Sequence, residues 1–242
     1  METNALRTLW TECFGNEDDW IETFFRTALI PDHICVRNRQ GRLAAALCWM
    51  DVFCRGQKLA YLYAIATAPD QRGQGLCREL MASACETLAR QHYAGCVVVP
   101  AEDGLRQMYR KMSFENFGGI EHLSARRGKP VPIRPVSPEE YARLRRSFLP
   151  KDGVVQESGA ENYLAASADL YAGENFLLAA EREGQALFAV ELLGDPRAAE
   201  GILGGLDCEK GTFRIPGSEP FAMFRPLVPG TPPPGYFGLA FE

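Results

Sequence analysis

Apolar residues recur along the first 125 positions in two different periods, and each period marks a kind of element. Leu6, Leu9, Trp10 and Cys13 fall at helical spacing, and Trp20, Ile21, Phe24 and Phe25 repeat it within Asp18–Ala28. Two short helices are expected, with Gly15 as the stop between them. The periods then shorten. His33–Arg37 and Arg42–Phe53 are β-compatible runs around the polar turn Asn38-Arg39-Gln40-Gly41, which reads as a hairpin. Arg55-Gly56-Gln57-Lys58 turns the chain again into a strand over Leu59–Thr67, so three antiparallel strands are expected in succession. Leu76, Leu80, Met81, Ala84, Cys85 and Leu88 form one stripe of a helix that packs on the sheet and ends near His92. Cys96–Pro100 is a short continuous apolar run, consistent with a buried strand. Glu102 and Asp103 open a further helix carrying Tyr109, and Phe114–Leu123 reads as a strand.

A polar, basic stretch from Ser124 to Pro130 suits a linker or exposed turn, and its Arg126-Arg127-x-Lys129 cluster reads as a solvated loop rather than a nucleic-acid contact. The pattern then starts over. Ser137, Pro138 and Glu140 stand at N-cap, N1 and N3 of a helix bearing Tyr141, Leu144 and Phe148. A second helical run covers about Ala160–Tyr171. Phe176–Ala180 and Ala186–Leu193 read as strands, Ala198–Leu206 as a helix stopped by glycines, and Thr212–Ile215, Phe221–Leu227 and Tyr236–Phe241 as short strands between Pro- and Gly-rich turns. Helices, then strands, then helix and strands again: the second half repeats the element order of the first, which divides the chain into modules 1–128 and 129–242.

The chemistry concentrates in Tyr61–Leu80, YLYAIATAPDQRGQGLCREL. A strand meets a turn at Pro69-Asp70, then the loop Arg72-Gly73-Gln74-Gly75, then a helix from Leu76. Glycines let backbone N–H groups approach a ligand closely, and a helix start offers orphan donors and a positive dipole end, so the arrangement favours an anion such as phosphate. Two familiar phosphate motifs fail on detail. The dinucleotide fingerprint needs a third glycine where Arg78 stands, and the P-loop needs Gly-Lys-Ser/Thr, which is absent.

The stretch resembles the acetyl-CoA loop of the GCN5-related N-acetyltransferases (GNAT), Arg/Gln-x-x-Gly-x-Gly/Ala, with Arg72, Gly75 and Cys77 on the three fixed positions. Cys77 is a departure, a thiol where Gly or Ala is usual. About thirty residues on, Met108-Tyr109-Arg110-Lys111-Met112-Ser113-Phe114 looks like the family's Leu-Tyr-x-x-x-Gly-Phe segment, with Ser113 in place of the glycine. The resemblance implies an α/β (α+β) GNAT fold, a mixed and mostly antiparallel sheet flanked by helices, for residues 1–128. For 129–242, by element order alone, it implies a smaller and degenerate GNAT-like α/β module with no cofactor loop. It further implies acetyl-CoA as co-substrate, held by the backbone of Ile65, Ala66 and Thr67 on a splayed strand and by Gln71, Arg72, Gly73, Gln74, Gly75, Leu76 and Cys77 around the pyrophosphate. Tyr109 would protonate the departing thiolate. In the family the first two helices help wall the acceptor pocket; their aromatics also suit plain core packing.

Acetyl transfer to an amine further needs a base. Glu102 is one candidate, although an acidic residue at a helix start can simply offset the dipole. The carboxylate end at Glu242 is another, if the aromatic segment before it docks near the acceptor; an ordinary edge strand is the competing reading. The implied reaction is transfer to a primary amine of a small molecule or peptide by direct attack in a ternary complex. A non-catalytic acetyl-CoA-binding module or sensor is the alternative, with Cys77 and Ser113 as marks of lost catalysis.

Composition narrows the setting. A net charge of −5 and an acidic balance argue against a nucleic-acid partner, and 46% apolar content is ample for a core. The eight cysteines include no Cys-x-x-Cys pair and lie mostly in apolar runs, as free thiols of a reducing cytosol do. Neither a leader nor a membrane span is expected, and the reading is cytoplasmic. Nothing in the sequence indicates an oligomeric state.

Overall fold

The computed structural model describes residues 3–15, 20–156 and 159–241. It falls into two compact units. The first comprises Met1–Val98, Glu102–Glu115 and Phe224–Pro233; the second comprises Val99–Ala101, Asn116–Met223 and Pro234–Glu242. The helix start expected at Asp18 and the residue Glu242 lie outside the described residues.

In the first unit α1 (Thr3–Phe14) and α2 (Trp20–Thr27) precede β1 (Ile34–Arg39), β2 (Arg42–Cys54) and β3 (Gln57–Thr67), followed by α3 (Leu76–Arg90), β4 (Gly95–Val98) and α4 (Asp103–Arg110). Gly15, at φ 84° with its N–H on Thr11 O, ends α1 as the spacing implied. The strands lie in the order β1-β2-β3-β4, antiparallel except that β4 runs parallel to β3. Both hairpins turn through two successive left-handed residues, Gln40-Gly41 (φ 51° and 77°) and Arg55-Gly56 (φ 50° and 73°), which suits the twist of the flanking strands. All six residues of the α3 stripe are buried, and the helix packs on β1, β2 and β3. Gly95 has no room for a side chain, since a Cβ there would stand 2.3 Å from the Phe224 ring.

The second unit contains β5 (Glu115–Arg126, from Asn116 on), β6 (Arg134–Pro135), α5 (Pro138–Phe148), β7 (Val155–Gln156), α6 (Gly159–Ser167), β8 (Asp169–Ala172), β9 (Phe176–Glu183), β10 (Ala186–Gly194), α7 (Ala199–Gly205), β11 (Lys210–Pro216) and most of β12 (Glu219–Pro226). Its strands run β5-β11-β10-β9-β8-β6, antiparallel except for the parallel pair β10 and β11. Ser137 caps α5 as expected, its Oγ accepting from Glu140 N at 3.2 Å. A core of Leu178, Leu187, Ala189, Ile202, Leu203 and Phe213 lies between the sheet and α7.

Three elements differ from expectation. Ser124–Arg126 belongs to β5, because Lys210–Thr212 of β11 supplies backbone partners and Ala125 packs against the core between polar Ser124 and Arg126. The helix read over Ala160–Tyr171 stops at Ser167, and Asp169–Ala172 pairs with β9, so sheet partners override a helical pattern. Tyr236–Phe241 is no strand. Beyond one bridge from Tyr236 to Gly153, two of its carbonyls take side-chain donors, Gln156 Nε2 donating to Leu239 O at 2.8 Å and Arg214 Nη1 to Gly238 O at 3.4 Å.

Candidate functional site

The candidate site is built where β3 leaves β4. Pairing between them covers only Leu59–Tyr61 with Gly95–Val97, so β3 continues from Leu62 to Thr67 beyond its parallel neighbour. That continuation is where Ile65, Ala66 and Thr67 stand. On the other side β2 still holds it, through Ala46↔Ala66 and Ala45↔Thr67, after a register shift between Ala46 and Cys48. Ala64 takes up the shift in the left-handed region at φ 49°, a strained choice for a residue with a Cβ. Trp10 Nε1 donates to Ala64 O at 3.0 Å and fixes the bulge. Nothing in the sequence marks this device, because alanine is not a turn residue and the tryptophan looks like ordinary core. Trp10 in turn packs against Trp20, Phe24 and Phe25, and Tyr63 against Trp20 and Phe24, so the helical aromatics do form one cluster.

Beyond Thr67 the chain makes a single 3-10 turn over Pro69–Gln71, then passes Gly73 (φ 77°) and Gly75 (φ 82°) into α3. At both glycines a Cβ would meet nothing within 4 Å, so it is the positive φ and not crowding that favours glycine there. Gly75 is the N-cap and offers no side chain to the helix. Glu79 N bonds Gly75 O, and the N–H groups of Leu76, Cys77 and Arg78 precede that first helical bond. Asp70, paired with Arg42 and accepting from Gln71 Nε2 at 3.1 Å, anchors the turn; those bonds, the one from Gln71 foremost, hold its carboxyl below the usual range. Gln71 is therefore buried and occupied, while Gln74 is exposed with its Nε2 3.4 Å from Asp70 O. Arg72 is exposed, and its Nε donates to Thr67 O at 3.1 Å, which sets the loop's cation at the end of β3. Cys13 Sγ reaches the same carbonyl at 3.3 Å.

Tyr109 comes from α4. It is 4% exposed and packs on Phe114, with ring centroids 5.8 Å apart. Burial holds its phenol above the ordinary tyrosine range, and the nearby Cys77 thiol pushes in the same direction. Cys77 is itself raised by burial, so it stays a neutral thiol at pH 7 and fills space. Ser113 takes the left-handed conformation, φ 65°, that a glycine would adopt freely, so the tight turn to Phe114 is kept at some cost in strain. Glu102 is the exposed N-cap residue of α4 and makes no side-chain cap bond. Seven residues of helix put it about 10 Å along the axis from Tyr109. The two are not brought together. Among the described residues no group of three or more His, Cys, Asp or Glu could hold a metal ion, and no helix is long and apolar enough to cross a membrane.

Residues 1–117 match the acetyltransferase (GNAT) domain family. No curated protein matches the sequence. Among solved structures, the chain is similar to a GCN5-related N-acetyltransferase from Anabaena variabilis, with TM-score 0.71 and 15% identity over 94% of this chain and 71% of that one. One from Kribbella flavida gives TM-score 0.69 at 15% identity over 92% and 68%. A tandem GNAT protein from the clavulanic acid biosynthesis pathway gives TM-score 0.58 at 12% identity, over 95% of this chain and 96% of that one.

Proposed function

We propose, for a chain whose residues 1–117 match the GNAT domain family, that it transfers an acetyl group from acetyl-CoA to a primary amine of a small molecule or peptide. Acyl transfer from an acyl-CoA is the activity of the family; the acetyl donor, the amine acceptor and the residue roles are our reading. Residues 1–128 would be the cofactor-binding module and 129–242 a degenerate GNAT-like one. The observation that carries the proposal is the turn in which β3 runs on past β4 and passes through Gly73 and Gly75, both at positive φ, into the start of α3 with Gly75 as its N-cap.

In this reading the backbone of Ile65–Thr67 hydrogen-bonds the pantetheine arm, and its N–H groups polarise the thioester carbonyl. Gln71, Arg72, Gly73, Gln74, Gly75, Leu76 and Cys77 surround the pyrophosphate. The amine nitrogen attacks the carbonyl carbon, the C–S bond breaks, and the thiolate takes the proton of Tyr109. The same burial that raises the phenol's pKa would raise the proton affinity of a thiolate lying beside it, so the transfer remains matched. The amine's proton leaves separately to a base, for which Glu102 is assigned. The attacking nitrogen and the leaving sulfur sit on one carbon, so a base about 10 Å along α4 from Tyr109 would take the amine proton through bridging water and not by direct contact.

The test is release of free thiol from acetyl-CoA by the full chain against a panel of primary amines, small molecules and peptides together. Amine-dependent release is expected. If acetyl-CoA binds in a calorimeter while no amine raises thiol release above the background, the chain is a binding module and not an enzyme.

A further inference from the structure

The sheet of the second unit has two faces, and side chains alternate between them along each strand. Ala180 of β9, Leu187 and Ala189 of β10 and Phe213 of β11 pack in the core with α7, and Ala125 of β5 lies against that core. Their neighbours therefore stand on the opposite face: Glu181 and Glu183 on β9, Ala186 and Phe188 on β10, Lys210 and Thr212 on β11, Ser124 and Arg126 on β5. At one end α5 covers this face, where Arg145 meets Glu191. The rest is open. Glu183, Lys210 and Arg126 are exposed, and so is Phe188, which keeps 36% of its surface on a central strand where a solvated sheet face calls for a polar residue. The buried Arg214 guanidinium, 5.7 Å from the ring centroid, backs that phenylalanine from its own strand.

Strand pairing fixes the order across the face. Glu183, Ala186, Lys210 and Arg126 are successive cross-strand partners in one row, and Glu181, Phe188, Thr212 and Ser124 in the next. Acid thus lies on one side of β10 and base on the other. Among the described residues Glu183, Lys210 and Arg126 have no ion-pair partner, while the adjacent Arg127 is bound by Asp207 at 2.7 Å and Glu209 at 3.1 Å. A half-turn about an axis along β10 lays this pattern on its own complement, acid over base and the Phe188 ring over its own copy. We propose that a second copy of this chain docks here as an isologous dimer, Phe188 against Phe188 and each Glu183 against Lys210 of the other copy. Four strands about 4.8 Å apart make a face about 14 Å wide, short of a standard interface, so the dimer is weak and salt-sensitive. The proposal does not depend on acetyl transfer.

The experiment is sedimentation equilibrium of the full chain up to submillimolar concentration, at about 0.01 M and about 1 M salt, between which the Debye length falls from about 30 to about 3 Å. A monomer–dimer equilibrium is expected at low salt and its weakening at high salt. Lys210→Glu and Glu183→Lys, each at an exposed position, should each weaken the dimer about tenfold or more, because each sets like charges opposite one another twice. Mixed one to one, the two variants should dimerise with each other, since both charge pairs are then restored. A general effect of net charge or a folding defect would not produce that rescue. Phe188→Ala should weaken the dimer at both salt concentrations, with the melting temperature of the monomer as the check on folding. The proposal is overturned by a chain that stays monomeric at low salt, by a dimer that survives either charge reversal or the loss of Phe188, or by a mixture of the two reversals that fails to associate.

Discussion

The two units contain the same construction twice, with opposite outcomes at its open end. In each, a hairpin strand leads through a helix into a parallel neighbour: β3–α3–β4 in the first and β10–α7–β11 in the second. In each, the leading strand carries a register shift, between Ala46 and Cys48 on β2 opposite β3 and between Ala189 and Glu191 on β10, and runs on past its parallel partner. After β3 come Gly73 and Gly75, and α3 starts with no side chain over it. After β10 comes Asp195, whose Oδ1 accepts from Arg197 N at 3.0 Å, while the Arg197 guanidinium folds onto the same carboxylate. The second turn carries its own anion. Its strand extension is filled as well: Glu191 is fully buried, bonded by Arg145 Nε at 2.6 Å and Nη2 at 2.8 Å, and Tyr236 of the last segment donates to it at 3.1 Å.

The sharpest way to break this contrast is at the first loop. Arg72→Ala with Gly75→Glu removes a cation and puts a carboxylate, on a strained φ, where an anion would lie, and acetyl-CoA binding is expected to vanish in calorimetry while the second unit stays folded. Retained affinity would detach the cofactor from this turn. Next comes Tyr109→Phe, expected to keep cofactor affinity and lower turnover by about 10²- to 10⁴-fold, measured by thiol release with any active amine. Unchanged turnover would show that the thiolate leaves unassisted or that another group protonates it.

In the second unit, Glu191→Leu leaves the Arg145 guanidinium buried without its counter-ion, at a cost of about 3–5 kcal/mol. Denaturant unfolding should register that loss, and the double change with Arg145→Leu should recover most of it. Smallest is Asp195→Ala, expected to cost about 1 kcal/mol as a lost cap and to confer no acetyl-CoA affinity, because Glu191 and Tyr236 still occupy the strand extension. A variant that gained affinity would mean the carboxylate alone had closed the second site.

The sequence disclosed most where local rules act alone. The α3 stripe, the Ser137 cap, both hairpin turns and the loop glycines were legible because periodicity, capping and φ preference are written in neighbouring residues. What stayed hidden depends on residues far apart. Ala64 and Trp10 are 54 positions apart, and neither has a composition that betrays a bulge. Glu191 stands out as one acid within the apolar run ALFAVELLG, a signal that was there to be used, but its partner Arg145 lies 46 positions earlier on a helix that reads as amphipathic. Tyr236–Phe241 had the aromatics of a strand, and only Pro232–Pro234 with Gly235 and Gly238 hinted that it would dock without pairing. At Gly238 a Cβ would stand 1.8 Å from the Tyr236 hydroxyl, so the docked path admits no side chain there.

The use of the final segment by both units also sets a timetable for synthesis. Phe224–Pro233 belongs to the first unit and residues 234–241 to the second, where Tyr236, Phe237, Leu239 and Ala240 are buried. A ribosome releases the chain from its beginning, and domains made of contiguous residues can close as they emerge. Neither unit here has that option. Each waits for residues made after position 223, the first with no Phe224 ring against Gly95, the second with Glu191 and Arg145 lacking the tyrosine that completes their shell. The nascent chain thus carries two unfinished cores until residues 224–242 have been made.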